Sequence, residues 1–395
     1  MNTFDLKIVK SVYGGSGLGF YDKRAVFVPF ALADELVKVE VTSEKKDYAF
    51  ANIVEILESS EKRIEPKCCN FELCGGCDYL HIDYDEELSI KQKILTDSLV
   101  RIAKIDNNNI PAIDIVFSNR YQYRSHASVK NNKDGKTGFY QKGTNELVAF
   151  PSNGCMLLSK ALAEIFVQPY YSGHKEFKTA IGCDSKARFS FNENAVIKEI
   201  INGLSYNRDI NCFFQVNLFL RSKMMEIVRE YAALNKNDNF LDLGCGVGFF
   251  SLYLSKDADF GIGVDIDREC IIWALKNREA NKIENLEFIQ SSASSLSPGN
   301  FSPGVIITDP PRAGLSKKAR YVISAIHPQK LVYVSCNPST FSRDAKDFIK
   351  AGYKLERLTL IDMFPSTYHI ELISLFVRVW KEITWVIPIR NVLQI

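Results

Sequence analysis

At 395 residues the chain exceeds one average domain, so two or three domains are expected. Hydrophobic residues at 46% and charged residues at 24% exclude a disordered or fibrous chain. The 49 Lys and Arg against 47 Asp and Glu leave a net charge of only +2, so no global basic excess marks a nucleic-acid binder and any such site must be local. Ten cysteines are too sparse for a disulfide scaffold, yet four of them fall between Cys68 and Cys77. The opening MNTFDLKIVK lacks the apolar core of a signal peptide, and the apolar stretches 331–334 and 372–377 are far short of a membrane span. A monomeric cytoplasmic enzyme with reduced thiols is the expected setting.

Residues 1–57 predict a small β-barrel of the OB type. Val37, Val39 and Val41 alternate with Lys38, Glu40 and Thr42, residues 4–10, 25–30 and 48–57 are also strand-like, and Gly14, Gly15, Gly17 and Gly19 punctuate the first turn. Residues 58–205 form a central region. It opens on the cysteines, continues through a helix over 86–105 expected to pack on the catalytic domain, and turns β-rich from 111. Within it, residues 120–142 hold Arg120, Arg124, Lys130, Lys133, Lys136 and Lys142 against Asp134 alone, interleaved with Tyr121, Tyr123, Phe139 and Tyr140. Cations for phosphates and aromatics for bases suit single-stranded RNA, although a solvated hairpin has the same composition.

From about 206 to 380 helices and strands alternate. Helical spacing covers 218–234, 267–281 and 339–351, and apolar strands cover 239–243, 261–265, 286–290, 305–308 and 331–335. That rhythm predicts a doubly wound parallel sheet. Residues 381–395 form an unassigned tail. Asp242-Leu-Gly-Cys-Gly-Val-Gly248 lies between a strand and a helix, with Asp265 at the end of the next strand. Glycines there let backbone approach a ligand and the acid can bind ribose hydroxyls, which would fit NAD too. The G-x-G-x-G spacing and Asp309-Pro-Pro311 resemble the S-adenosylmethionine methyltransferases instead.

Val334-Ser-Cys336-Asn-Pro338 ends a strand on the ligand side of that sheet, and Asp362–Glu371 supplies a carboxylate and His369 before the last strand. Buried cysteines are more often plain hydrophobes, His369 alone would be structural, and a glutamate at a strand start is usually a surface residue. A thiol, a carboxylate and a methyl donor nevertheless fit one reaction. Uracil C5 is a poor nucleophile, thiolate addition at C6 raises its electron density, and a base then removes the C5 proton as the thiol leaves. Cys336 is the candidate nucleophile and Glu371 the candidate base. Further upstream, Cys68, Cys74 and Cys77 are spaced C-x5-C-x2-C, with Cys155 remote; Cys69 in place of Cys68 gives C-x4-C-x2-C. Spacing alone allows a [4Fe–4S] cluster, a [2Fe–2S] cluster or a four-thiolate zinc site.

These segments in order, together with Gly14–Gly19, Phe214-Gln-Val-Asn217 and Asp309–Gly314, resemble the RNA uracil-5-methyltransferase family over about residues 8–380. The likeness is greatest to the 23S ribosomal RNA branch, whose members carry an N-terminal TRAM domain and an iron–sulfur cluster. The resemblance implies a Rossmann-like methyltransferase domain with a TRAM-like barrel, S-adenosylmethionine as cofactor, and 23S ribosomal RNA, or else transfer RNA, as substrate. It places Cys336 as nucleophile, Glu371 as proton acceptor, and Gln215, Gly244, Asp265 and Asp309 at the cofactor. Gly244 stands where the family usually has an aromatic residue, which leaves only backbone contact there. The resemblance also selects Cys68, Cys74, Cys77 and Cys155 as ligands of a [4Fe–4S] cluster, with Cys69 spare. Cys183, Cys212, Cys245 and Cys270 read as packing residues. An RNA cytosine-5-methyltransferase would want a second cysteine after the proline pair, where Arg312 stands, and a non-catalytic iron–sulfur RNA binder would not need Cys336 and Glu371.

Overall fold

A computed structural model describes residues 3–192, 195–296 and 301–379; the tail expected at 381–395 lies outside them. The chain begins with β1 (Thr3–Val12), β2 (Ser16–Tyr21), β3 (Arg24–Pro29), β4 (Leu36–Glu44) and β5 (Tyr48–Glu58), closed into a barrel in the order β1-β2-β3-β5-β4. Alternate residues fill its interior: Leu6, Ile8, Val26, Val28, Val37 and Val39 are all buried. Gly17 and Gly19 do not lie in the first turn as expected but inside β2. A Cβ at Gly19 would stand 2.6 Å from the Lys7 carbonyl oxygen, and one at Gly17 2.7 Å from that of Ala31. Glycine is required there by close packing, and only Gly14 and Gly15 serve the turn, at positive φ.

The cysteine-bearing segment is irregular. It leads into α1 (Tyr84–Ser98), extended by a π-helical turn over Leu99–Ala103 and stopped by Lys104 at positive φ. The strand β6 (Ile113–Val116) follows. Then come β7 (His126–Asn131), β8 (Thr137–Tyr140), β9 (Leu147–Ala149), α2 (Lys160–Ile165), β10 (Glu176–Ile181) and β11 (Ala187–Phe189). These five strands make an antiparallel sheet in the order β11-β10-β7-β8-β9, beside the hairpin of β12 (Val196–Ile201) and β13 (Leu204–Asp209).

The remainder is α3 (Arg221–Ala232), β14 (Asn239–Leu243), α4 (Ser251–Leu254), β15 (Phe260–Asp265), α5 (Arg268–Ala280), β16 (Leu286–Gln290), β17 (Val305–Thr308), α6 (Lys317–Ile326), β18 (Lys330–Ser335), α7 (Pro338–Lys350), β19 (Tyr353–Ile361) and β20 (Glu371–Arg378). With β6 they form an eight-stranded sheet ordered β16-β15-β14-β17-β18-β20-β19-β6. The sheet is mixed rather than wholly parallel, because β20 runs antiparallel to both β18 and β19. The segment 362–370 between β19 and β20 is too short for the dozen or more residues of a parallel crossover. The apolar strands bury both faces. Val305, Ile307, Val332 and Val334 enter one core with α3, while Ile306, Leu331 and Tyr333 enter the other with α1, α6 and α7. The parallel strands β14, β15, β17 and β18 all end at one edge, where a doubly wound sheet places its ligand.

Candidate active site

The loop after β14 is shaped by glycines that no other residue replaces cheaply. Gly244, Gly246 and Gly248 all have positive φ. A Cβ at Gly244 would press to 2.9 Å from the Asp309 carbonyl oxygen, whereas at Gly246 nothing lies within 4 Å, so the loop faces open space. An aromatic residue at 244 would therefore collide here, and this chain offers backbone in its place. Asp265 ends β15 and holds the loop directly: its Oδ2 accepts from the Gly246 amide at 2.8 Å and its Oδ1 from the Asp267 amide at 2.9 Å. Asp242 lies fully buried behind the loop. Ser251 donates to one of its oxygens and the other has no partner among the described residues. Burial pushes that carboxyl up to about 7, partly opposed by the Ser251 hydrogen bond. A glycine cradle open to solvent between two strand-end acids fits a nucleoside-bearing cofactor such as S-adenosylmethionine.

Asp309 follows β17, and Gln215 reaches it with Nε2 at 3.4 Å from Oδ2. Gln215 is itself buried, and its carbonyl oxygen accepts from Arg221 Nε at 2.7 Å. Burial, with Asp242 and Asp265 nearby, raises the Asp309 carboxyl. The four expected cofactor positions thus share one edge of the sheet.

The thiol and the carboxyl are brought together by strand register. The β18–β20 ladder pairs Ser335 with Leu372, so one step further Cys336 stands opposite Glu371. Glu371 is not the surface residue that its strand-start position suggested. It is 5% exposed, because β20 is an internal strand flanked on both sides, and its carboxyl has no hydrogen-bond partner among the described residues. Burial and the Asp309 charge raise it, opposed by Arg312. The Cys336 thiol is pushed up to about 12 by burial, then by Glu371 and Asp309, and again Arg312 opposes. Asn337 caps α7 through Oδ1, accepting from the Ser339 amide at 3.0 Å, which turns the chain sharply beyond Cys336.

Tyr13, Arg312, Tyr368 and His369 surround this pair, and of these Tyr13 lies outside every segment that the sequence marked for the site. Tyr13, from the barrel's first turn, donates to the Cys336 carbonyl oxygen at 3.3 Å across 323 positions and packs edge-on against Tyr368. Arg312 Nη2 lies 3.2 Å from His369 Nε2. Burial, reinforced by Arg312, pulls His369 down to about 3, so the imidazole is neutral. The segment 362–370 that carries Tyr368 and His369 is tied down from α1. Lys91 Nζ lies 2.7 Å from both Glu87 and Asp362, Tyr84 donates to Asp362 at 2.8 Å, and Glu87 accepts from the Ser366 amide at 2.7 Å.

The basic segment 120–142 is in large part an internal fastening. Arg120 bonds Glu87, the Ser366 hydroxyl and the carbonyls of Tyr79 and Ile82, and Tyr123 is fully buried with its hydroxyl on the Pro365 carbonyl. Lys142 pairs with Asp78 at 2.6 Å. Burial, and then the nearby Cys155, raise the thiols of Cys68, Cys74 and Cys77, and Arg124 stands beside Cys74, Cys77 and Cys155. All four thiols are free, and the spare Cys69 is exposed. The donor chemistry fits a thiolate-bound group. Among the described residues, however, no three His, Cys, Asp or Glu side chains converge closely enough to hold a metal. Cys212, Cys245 and Cys270 are buried as expected, while Cys183 is exposed.

Comparison with known proteins decides the family. The tRNA (uracil-5-)-methyltransferase model matches residues 173–379, more than half of the chain. The chain belongs to that family. This methyltransferase is 33% identical to an RNA methyltransferase of Aquifex aeolicus, over 94% of this chain and 97% of the relative. It is 30% identical to the 23S rRNA (uracil(1939)-C(5))-methyltransferase RlmD of Haemophilus influenzae, over 95% and 96% respectively. The fold is that of the Pyrococcus abyssi tRNA (uracil-54, C5)-methyltransferase crystallised with S-adenosyl-L-homocysteine. That likeness has a TM-score of 0.71 and 24% identity, and covers 94% of this chain and all of the other. The enzyme is an RNA uracil-5-methyltransferase with S-adenosylmethionine as methyl donor. No helix among the described residues is long and apolar enough to cross a membrane.

Proposed function

We propose that this methyltransferase acts on a uridine of 23S ribosomal RNA through a covalent adduct on Cys336. The observation that carries the mechanism is the β18–β20 register, which sets an unpartnered buried carboxyl, Glu371, opposite a strand-end thiol. S-adenosylmethionine, when bound, supplies an electrophilic methyl group; Gln215, the backbone of Gly244, Asp265 and Asp309 would hold it. After the Cys336 proton passes to solvent, the thiolate adds to uracil C6, forming a C–S bond and moving the C5–C6 electron pair to C5. Once C5 carries the methyl group, Glu371 accepts its proton and the released pair expels the thiolate. In the resting site burial keeps the proton on Cys336. Arg312 is the group that favours its loss, and the same side chain offsets the negative charge that Glu371 and Asp309 bring.

The choice of ribosomal RNA rests on relatives such as RlmD of Haemophilus influenzae, which span nearly the whole chain. Transfer RNA is the second reading, favoured by the name of the family model and by the archaeal fold neighbour. Mapping 5-methyluridine in both RNAs from cells lacking the gene tests it: loss at a 23S position is expected, and loss confined to transfer RNA contradicts the substrate. The barrel serves as a TRAM-like RNA-binding unit, residues 1–57, followed by a central unit, 58–205, and the catalytic unit, 206–380. Cys68, Cys74, Cys77 and Cys155 would hold a [4Fe–4S] cluster, a reading supported by four free thiols that lie near one another, since such a group binds as thiolates and releases their protons. Its role is in shaping the central unit, since methyl transfer requires no electron.

A further inference from the structure

The central sheet carries a cavity that the methyl-transfer chemistry does not use. It encloses about 780 Å³ between the β7–β8 hairpin and the segment 171–175, a volume within the range of small-molecule sites. Its walls combine two chemistries. Lys130, Lys133 and Lys175 supply positive charge, and Tyr140 and Tyr171 supply aromatic faces. Lys130 is committed internally: it pairs with Glu176 and lies 4.8 Å from the Tyr140 ring centroid. Lys133 and Lys175 are exposed and make no ion pair among the described residues. Tyr171 is 73% exposed, so one of the largest apolar surfaces of this region is turned to solvent. The wall is nevertheless a built one. Asn131, 8% exposed, donates through Nδ2 to the Tyr170 carbonyl at 2.6 Å, and a Cβ at Gly135 would touch the Tyr171 ring at 2.9 Å.

The same hairpin reaches the active site. Tyr140 lines the cavity, and Lys142, two residues on, lies 3.4 Å from the Gly14 carbonyl and 5.6 Å from the Tyr368 ring. Tyr140 and Lys142 are two residues apart, so one short segment links the cavity wall to the loop that carries Tyr368.

We propose that this cavity is a second RNA subsite, which takes an unpaired nucleotide of the strand that carries the target uridine, with its base stacked on Tyr171 or Tyr140 and its phosphates on Lys133 and Lys175. The proposal rests on the enzyme's action on RNA and deepens it, since stacking platforms flanked by cations bind single strands without demanding a sequence. The test measures binding of a labelled twelve-residue oligouridylate to the full chain and to two variants, Tyr171→Ala and Lys133→Glu/Lys175→Glu. S-adenosylmethionine binding serves as the control for folding. Tyr171→Ala is expected to weaken RNA binding on the order of ten-fold. The double charge reversal is expected to weaken it further and to flatten the dependence of binding on salt. If both variants bind the oligonucleotide as tightly as the wild type, with the same salt dependence, the subsite is refuted. That failure is distinct from failure of the activity: a wild type that binds RNA but methylates no uridine contradicts the enzyme assignment and leaves the binding comparison to stand on its own result.

Discussion

Ser335 and Leu372 are partners in an antiparallel ladder, and everything chemical about Cys336 and Glu371 follows from that pairing. The thiol is held up by burial and then by the carboxyl opposite it, and Arg312 is the counterweight to both. Removing that guanidinium in Arg312→Leu raises the thiol pKa further. The pH dependence of adduct formation is therefore expected to move to more alkaline pH; an unmoved profile would show that Arg312 does not tune the nucleophile. Glu371→Gln keeps the shape and loses the base, so the methylated covalent adduct should accumulate and be visible as an SDS-stable RNA–protein band. Normal turnover in that variant would reject the role. Cys336, Asp309, Asp265 and the glycine loop were legible in the sequence because each lies within a short motif at a strand end. Tyr13 was not, since its contact with Cys336 spans 323 positions and no local pattern announces it. Arg120 misled for a related reason: its positive charge resembles an RNA contact until Glu87, brought in by α1, claims it.

Individual elements explain how the site keeps its shape. The helix α1 anchors the 362–370 segment through Lys91, which is fully buried between Glu87 and Asp362. Burial would strip the proton from Lys91; the two carboxylates keep it on. Without Lys91, Glu87 keeps Arg120 but Asp362 keeps only the Tyr84 hydrogen bond as a buried charge, so Lys91→Met is expected to destabilise the protein by about 3 kcal/mol in urea denaturation. A change below about 1 kcal/mol would mean that the network is not needed. The glycine loop carries a pH signature. An unfolded aspartate titrates near about 3.9, while buried Asp242 is raised to about 7, so the folded state binds more protons between those values. This group's contribution to stability is full below pH about 4 and declines as pH rises to about 7. In Asp242→Asn the slope of stability against pH over that window should become less negative, which denaturation at several pH values will measure. The order β18-β20-β19 could not be read from sequence, because the apolar run 372–377 looks the same whichever way the strand enters the sheet.

At the scale of the whole molecule, distant parts of the chain converge around Tyr368 and the Cys336 turn. The barrel supplies Tyr13 against the Cys336 carbonyl and Tyr368, the segment after β8 supplies Lys142 against Tyr368, and the doubly wound sheet supplies Cys336, Glu371 and Asp309. The alternation of strands and helices announced the last of these, and the alternation of valines announced the barrel. The convergence itself was hidden, since it depends on contacts among turns rather than on any periodic stretch. For the cysteines, protein purified without oxygen is expected to be brown, with iron and labile sulfide and broad absorbance near about 400 nm. Colourless protein with stoichiometric zinc would overturn the cluster. The central claim is covalent catalysis on uracil by Cys336. It is tested most directly by incubating the enzyme and S-adenosylmethionine with 23S ribosomal RNA transcribed with 5-fluorouridine, then mapping the RNA-linked peptide by mass spectrometry. A stable adduct on Cys336, absent from Cys336→Ala, is the predicted result; an adduct that persists in Cys336→Ala, or wild-type methylation of ordinary RNA with no adduct on the fluorinated one, would contradict it.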